Sequence, residues 1–204
     1  MTRIILLGGK AKSGKDTCAR FFKEYFNQRN QDVLIIHYAD LLKFICTNYF
    51  NWNGVKDDHG RELLQRIGTD IVRKRYPTFW SSFVIFMVKL FKDTWDYVII
   101  PDARFPDEID GWKENATEDE DIFYIRVERP GFDNGLSEVQ KKHESEIALD
   151  NYPYDCKIIN DSEVSLERLR KECRYICEWI HEHLPLPSPE MSKIRKGFAE
   201  DIVK

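Results

Sequence analysis

Residues 9–17, Gly-Lys-Ala-Lys-Ser-Gly-Lys-Asp-Thr, carry the spacing G-x-x-x-x-G-K, which wraps backbone amides around phosphate oxygens. Gly9 and Gly14 permit backbone shapes that a side chain would obstruct, and Lys15 brings a positive charge to the far phosphates. Lys10 and Lys12 either add charge at the mouth of the loop or are solvated. The residue after the lysine ordinarily supplies a hydroxyl for magnesium; here it is Asp16, and the hydroxyl stands one place later, on Thr17. A carboxylate in that place repels phosphate unless a metal ion or a basic neighbour offsets it. The chemistry implied is phosphoryl transfer. ATP would be bound by Gly9, Lys12, Ser13, Gly14, Lys15, Asp16 and Thr17, and Mg2+ by members of the set Asp16, Thr17 and Asp102.

Other charged groups stand where an acceptor could use them. Asp102 follows the apolar run 97–101, the position of a carboxylate aimed at magnesium or its waters. Arg104 and Glu108 come next, the glutamate suited to fixing an arginine. Asp40 follows a second apolar run, with Lys43 one turn on; Asp40 either positions an acceptor phosphate or caps the helix after it. Arg61, Gln65, Thr69 and Arg73 recur every four residues, with Asp70 beside them, while Leu63, Leu64, Ile67 and Ile71 supply an apolar side. One helix can then pack and also present a guanidinium at each end, which suits a monophosphate. Gln65 can read a base edge. The plainer alternative is a solvated amphipathic helix with ion pairs to Glu62 or Asp70. Arg129 closes a further strand and opens the polar segment 129–146, a lid whose basic groups would reach the transferred group. Arg126, three residues earlier, is expected on the opposite strand face. Lys15, Arg129 and Asp102 are the expected catalytic groups.

The elements that must position these residues read as an α/β domain. Apolar runs at 3–8, 33–38, 97–100, 122–129 and 156–161 read as strands. Helical spacing covers 15–30, 39–50, 61–76 and 81–92, and a last helix runs from Ser162, its N-cap, to about His183 with Glu163 in the first turn. Five strands alternating with helices predict a three-layer sandwich around a mostly parallel sheet, with ligands at the carboxyl ends of the strands. Residues 1–183 form this domain, with acceptor-binding helices in about 40–95. Residues 184–204 are a proline-rich spacer, "LPLPSP", and a tail.

Composition narrows the classes. There are 31 Lys and Arg against 35 Asp and Glu, a net charge of −4, which argues against a broad nucleic-acid surface. No apolar run approaches the length of a membrane span, and the start "IILLGG" is too short for a signal peptide, so a cytoplasmic protein is expected. Cys173, Cys177 and His181 share one helical face, but the apolar stripe through Leu166, Leu169, Cys173, Ile176 and Ile180 makes core packing the better reading than zinc. Oligomeric state is not legible, and a homodimer stays open.

Together the blocks "SGKDT" at 13–17, "YADLLK" at 38–43, "GRELLQRIGTD" at 60–70 with Arg73, Trp80, "PDARFPDE" at 101–108 and "HESE" at 143–146 resemble the deoxynucleoside monophosphate kinase family of phages and bacteria. The resemblance spans most of 3–161. It implies a phosphate-loop kinase fold and ATP-dependent transfer to a deoxynucleoside 5'-monophosphate, with the acceptor along 61–73 and Trp80 as a base-stacking wall or a core residue. Lys141, Lys142 and His143 are candidates to close the lid. Animal-type phosphomevalonate kinases share an S-G-K-D loop and are a rival reading. A nucleotide-responsive regulatory protein without turnover is another.

Overall fold

The computed structural model describes residues 2–91, 94–118, 120–161 and 165–182. The chain order is β1 (Thr2–Gly8), α1 (Lys15–Asn27), β2 (Val33–Ile35), α2 (Ala39–Tyr49), α3 (Asp58–Gln65), a π segment (Arg66–Arg73), α4 (Phe79–Leu90), β3 (Tyr97–Ala103), α5 (Pro106–Asn115), β4 (Glu120–Glu128), α6 (Glu138–Lys141), α7 (Glu144–Ile147), β5 (Cys156–Ile159) and α8 (Leu166–His181). The strands form one sheet in the order β2-β3-β1-β4-β5, and every pairing is parallel. The three-layer α/β sandwich expected from the sequence is the observed fold.

Both faces of the central strands are buried, which is why β1 and β3 read as unbroken apolar runs and do not alternate. On one face α1 and α8 pack Cys18, Phe22, Phe26, Cys173, Ile176 and Cys177 against Ile5, Leu7 and Ile99. Cys173 and Cys177 are fully buried there, and His181 Nδ1 instead meets the Tyr97 hydroxyl at 3.0 Å, so this helix face is core. On the other face Val84, Val88, Ile109 and Trp112 cover Ile4, Leu6 and Ile100. A third cluster, Leu42, Cys46, Trp52, Ile67 and Trp80, holds α2, the π segment and α4 together.

Several expectations are corrected. Helix α5 falls in a stretch without strong periodicity; Pro106 at its first turn and Glu108 three residues after Phe105 are its start signals. The last helix begins at Leu166 with Ser165 in the N-cap position, and Ser162 and Glu163 lie outside the described residues. The expected strand 33–38 is regular only over Val33–Ile35. Ile71, expected on an apolar side, is 48% exposed. The cause is the π segment. Ile71 lies within the π segment, whose wider turn departs from the 3.6-residue period on which the apolar side was read. Among the described residues no helix is long and apolar enough to cross a membrane.

Candidate active site

β1 delivers the phosphate loop to the carboxyl edge of the sheet. Gly9 has φ 141°, and a methyl there would collide with the Val127 carbonyl; Gly14, at φ 106°, caps α1 and faces the Asn160 amide. Only glycine fits either place. Asn160 Nδ2 donates to the Ser13 carbonyl at 2.8 Å, so the end of β5 braces the loop. Lys15 is buried, and its Nζ donates to the Gly9 and Lys10 carbonyls, each at 2.8 Å. Burial, and next the positive charge of Arg104, push its pKa down to about 7. A phosphate in the loop would favour the ammonium form. Lys12 is exposed, and its Nζ lies 3.5 Å from where a methyl on Gly135 would stand, which brings the 129–146 segment to the loop.

Asp16 has its basic neighbour. His37, just after β2, meets Asp16 Oδ1 through Nε2 at 3.1 Å and Asp40 Oδ2 through Nδ1 at 3.4 Å. Burial lowers the imidazole pKa, but the hydrogen bonds to the two carboxylates outweigh it and hold the group at about 9. Asp40 also pairs with Lys43 at 2.8 Å. A chain Asp16–His37–Asp40–Lys43 therefore ties the phosphate loop to α2. Asp40 lies in the first turn of α2 and is not its cap; Asp102 fills that role, accepting from the Tyr38 and Ala39 amides at 2.9 and 3.1 Å. Thr17 is half-buried, and its hydroxyl is 3.5 Å from Arg20.

The His37 geometry has a measurable consequence. Its folded pKa lies above the ordinary 6.5, so its ion-pair stabilisation is complete below about pH 6.5 and is lost as pH rises through about 9. The stability difference between wild type and His37→Gln should shrink over that window to a pH-independent remainder. Denaturant midpoints at several pH values check it; a difference that is flat with pH rules out a charged His37.

The acceptor candidates divide. Arg61 is half-buried and makes no side-chain hydrogen bond or ion pair among the described residues, and Gln65 on the next turn is equally free. Lys56, which sequence reading passed over, shares this space: burial, then the nearby Lys43, lowers its pKa, with Arg61, Asp16 and Asp102 also in electrostatic reach. Thr69 is buried. Asp70 is exposed and pairs with Lys74 at 3.1 Å. Arg73 is buried and committed: it pairs with Asp107 at 2.6 Å and Glu108 at 2.5 Å and lies 3.7 Å over the Phe105 ring. Burial raises the Glu108 carboxyl, while Arg73 and the Arg104 amide oppose that shift. Trp80 is core, 5% exposed, with its indole N–H donating to the Gly68 carbonyl.

Arg104 and Arg129 line a cavity of about 350 Å³ beside the loop, with Gly9, Ala11, Tyr124 and Glu146. Arg126 lines it too, against the expectation of opposite faces, because β4 ends at Glu128 and strand alternation no longer applies to Arg129. Arg129 stacks 3.6 Å over Phe132, and its buried Nε has no partner among the described residues. Within "HESE" the group that reaches the loop is Glu146; His143 caps α7, while Lys141 pairs with Glu138 in solvent. His37 and Asn160 were not singled out because polar residues near strand ends look alike without their partners, and Glu146 was quoted only within the block 143–146.

A glycine-rich loop closed by a buried lysine, between β1 and α1 of an all-parallel sheet, defines a phosphate-loop kinase fold. Residues 23–172 match the deoxynucleotide monophosphate kinase family, and the chain belongs to that family. It catalyses ATP-dependent phosphoryl transfer to a deoxynucleoside monophosphate, which displaces the phosphomevalonate and regulatory alternatives. The matched region starts beyond the phosphate loop, so loop and family match are separate lines of support. No curated protein matches the chain. Among solved structures, it is similar to the APS kinase of Mycobacterium tuberculosis. The cysteine-to-alanine mutant of that enzyme is 12% identical, covering 87% of this chain and 97% of the other, with a TM-score of 0.46. The complex with AMPPNP and APS is 13% identical, covering 87% and 98%, again with a TM-score of 0.46.

Proposed function

We propose that the donor triphosphate of ATP lies in the loop 9–17 and that the acceptor monophosphate is held between α2, α3 and the end of β3. The chain Asp16–His37–Asp40–Lys43 carries this reading, because it fixes the donor loop and the acceptor helix to one another. In-line transfer needs that kind of mutual positioning more than covalent help. Arg61, Lys43 and Lys56 are the cations for the acceptor phosphate, and Gln65 is placed to read the base. Lys15, Arg104 and Arg129 surround the group in flight. An acceptor phosphate oxygen is already nucleophilic and needs no strong base.

The oxygen donors Asp16, Thr17 and Asp102 suit Mg2+, a hard ion held by one or two carboxylates together with substrate phosphates. Among the described residues no cluster of three His, Cys, Asp or Glu forms a protein-only metal cage, and this fits such shared ligation. When bound, the ion would neutralise charge between the donor phosphates. The two carboxylates differ in readiness: Asp102 is held by two amides, Asp16 by an imidazolium. We place the enzyme in the cytoplasm.

The test is ADP formation from ATP with a panel of acceptors: dTMP, dGMP, dCMP, dAMP and hydroxymethylated pyrimidine nucleotides, with phosphomevalonate as the negative arm. Arg61→Ala should raise the acceptor KM roughly ten- to hundredfold, the size of one hydrogen bond to a charged group, and leave the ATP KM nearly unchanged. A selective loss of ATP binding would reverse the assignment of the two sites.

A further inference from the structure

Segment 144–150 is strapped across the phosphate loop, and Glu146 is its centre. The Glu146 side chain is 8% exposed. Its Oε2 accepts the Ala11 amide N–H at 2.9 Å, and its Oε1 accepts from Arg104 Nη1 at 2.7 Å. Its main-chain carbonyl accepts from Lys10 Nζ at 2.6 Å, and Lys10 also pairs with Asp150. Arg126 secures the far end through the Leu149 and Asp150 carbonyls at 3.2 and 2.7 Å.

A loop amide and an arginine turned toward one anionic oxygen pair are the groups a phosphoryl oxygen would use. Here a carboxylate of the protein holds both. Its negative charge also offsets the repulsion between Lys15 and Arg104. The same cavity keeps two buried polar atoms without partners among the described residues, the Tyr124 hydroxyl and Arg129 Nε. Tyr124 is 1% exposed. Buried donors left unpaired are costly, so the strapped arrangement is complete around Glu146 and incomplete around the space beside it.

We propose that Glu146 is a positioning residue whose carboxylate competes with the donor's phosphate for the Ala11 amide and Arg104. The incoming triphosphate displaces its carboxylate from the Ala11 amide and from Arg104, and segment 144–150 loosens as it does so. This rests on the placement of the donor in the loop 9–17. One anion replaces another on the same donors, so the exchange costs little, and Arg104 passes from an internal partner to the transferred group.

Glu146→Gln keeps the shape and one acceptor oxygen and removes the charge. A site blocked nine-tenths of the time has its apparent Kd raised about tenfold. The variant should therefore bind a non-hydrolysable ATP analogue with magnesium about tenfold more tightly than wild type. In the unmodified enzyme the amides of 144–150 should exchange hydrogen faster when the analogue is bound, a readout that needs no variant. Equal or weaker binding by Glu146→Gln, or slower exchange across 144–150, overturns the proposal. Lys15→Ala in the same titration separates the two levels. If it loses affinity while Glu146→Gln gains none, the competing role is wrong and the donor site holds. If Lys15→Ala binds normally, the donor placement itself fails.

Discussion

Lys15→Ala should fold and lose nearly all transfer, with kcat lower by about a hundred- to a thousandfold. That is the range for removing one preorganised charge-stabilising donor, about 2.7–4 kcal/mol. Lys15 is buried, and its ammonium is held by the Gly9 and Lys10 carbonyls and Ser13, all within the loop itself. The unfolding midpoint should stay close to that of wild type. Steady-state rates at saturating ATP, with a melting curve on the same sample, make the check. A variant that keeps near-normal kcat with every acceptor would remove Lys15 from the chemistry.

Arg73→Ala should act on stability, by about 3–5 kcal/mol, the cost of breaking a buried ion pair and leaving its partner uncompensated. Two carboxylates lose their counter-ion at once, Asp107 and the 3%-exposed Glu108, and the Phe105 ring loses its cover. A loss of that size is a large part of the total stability of an ordinary domain. Arg73→Lys should recover only part of it, since an ammonium cannot reach both carboxylates in the planar fork or stack on the ring. Urea midpoints of the two variants, with acceptor KM measured well below the transition, decide the matter. A wild-type midpoint together with a raised acceptor KM would return Arg73 to the acceptor site.

These two residues show how far the sequence reaches. The position of Lys15 in the loop was legible because the loop is set by neighbours in the chain: the glycines, the preceding strand and the following helix lie within a dozen positions. The same holds for the five strands and most of the helices, whose periods are set by backbone geometry over a few residues. The π segment was not legible, since a four-residue spacing is a compromise between two helix types and local pattern does not choose between them.

For the acceptor residues the sequence offered Arg61 and Arg73 as equals, at the same spacing on the same helix face. The fold separated them: Arg73 meets Asp107, 34 positions away, while Arg61 makes no side-chain hydrogen bond or ion pair among the described residues. Asp16 was an anomaly in the sequence and becomes intelligible beside His37, 21 positions away. Glu146, 135 positions from Ala11, could not be connected to the phosphate loop at all until β1 and β4 were side by side.

The sequence by itself determined the phosphate loop, the parallel sheet that carries it and the family of the chain, because these follow from local spacing and from blocks in fixed order. Only the tertiary structure decided which charges are spent inside the protein and which are spare for a substrate. The reason is physical: a backbone pattern is set over a few residues, whereas a charge finds its partner through space, and burial decides whether that partnership can be given up.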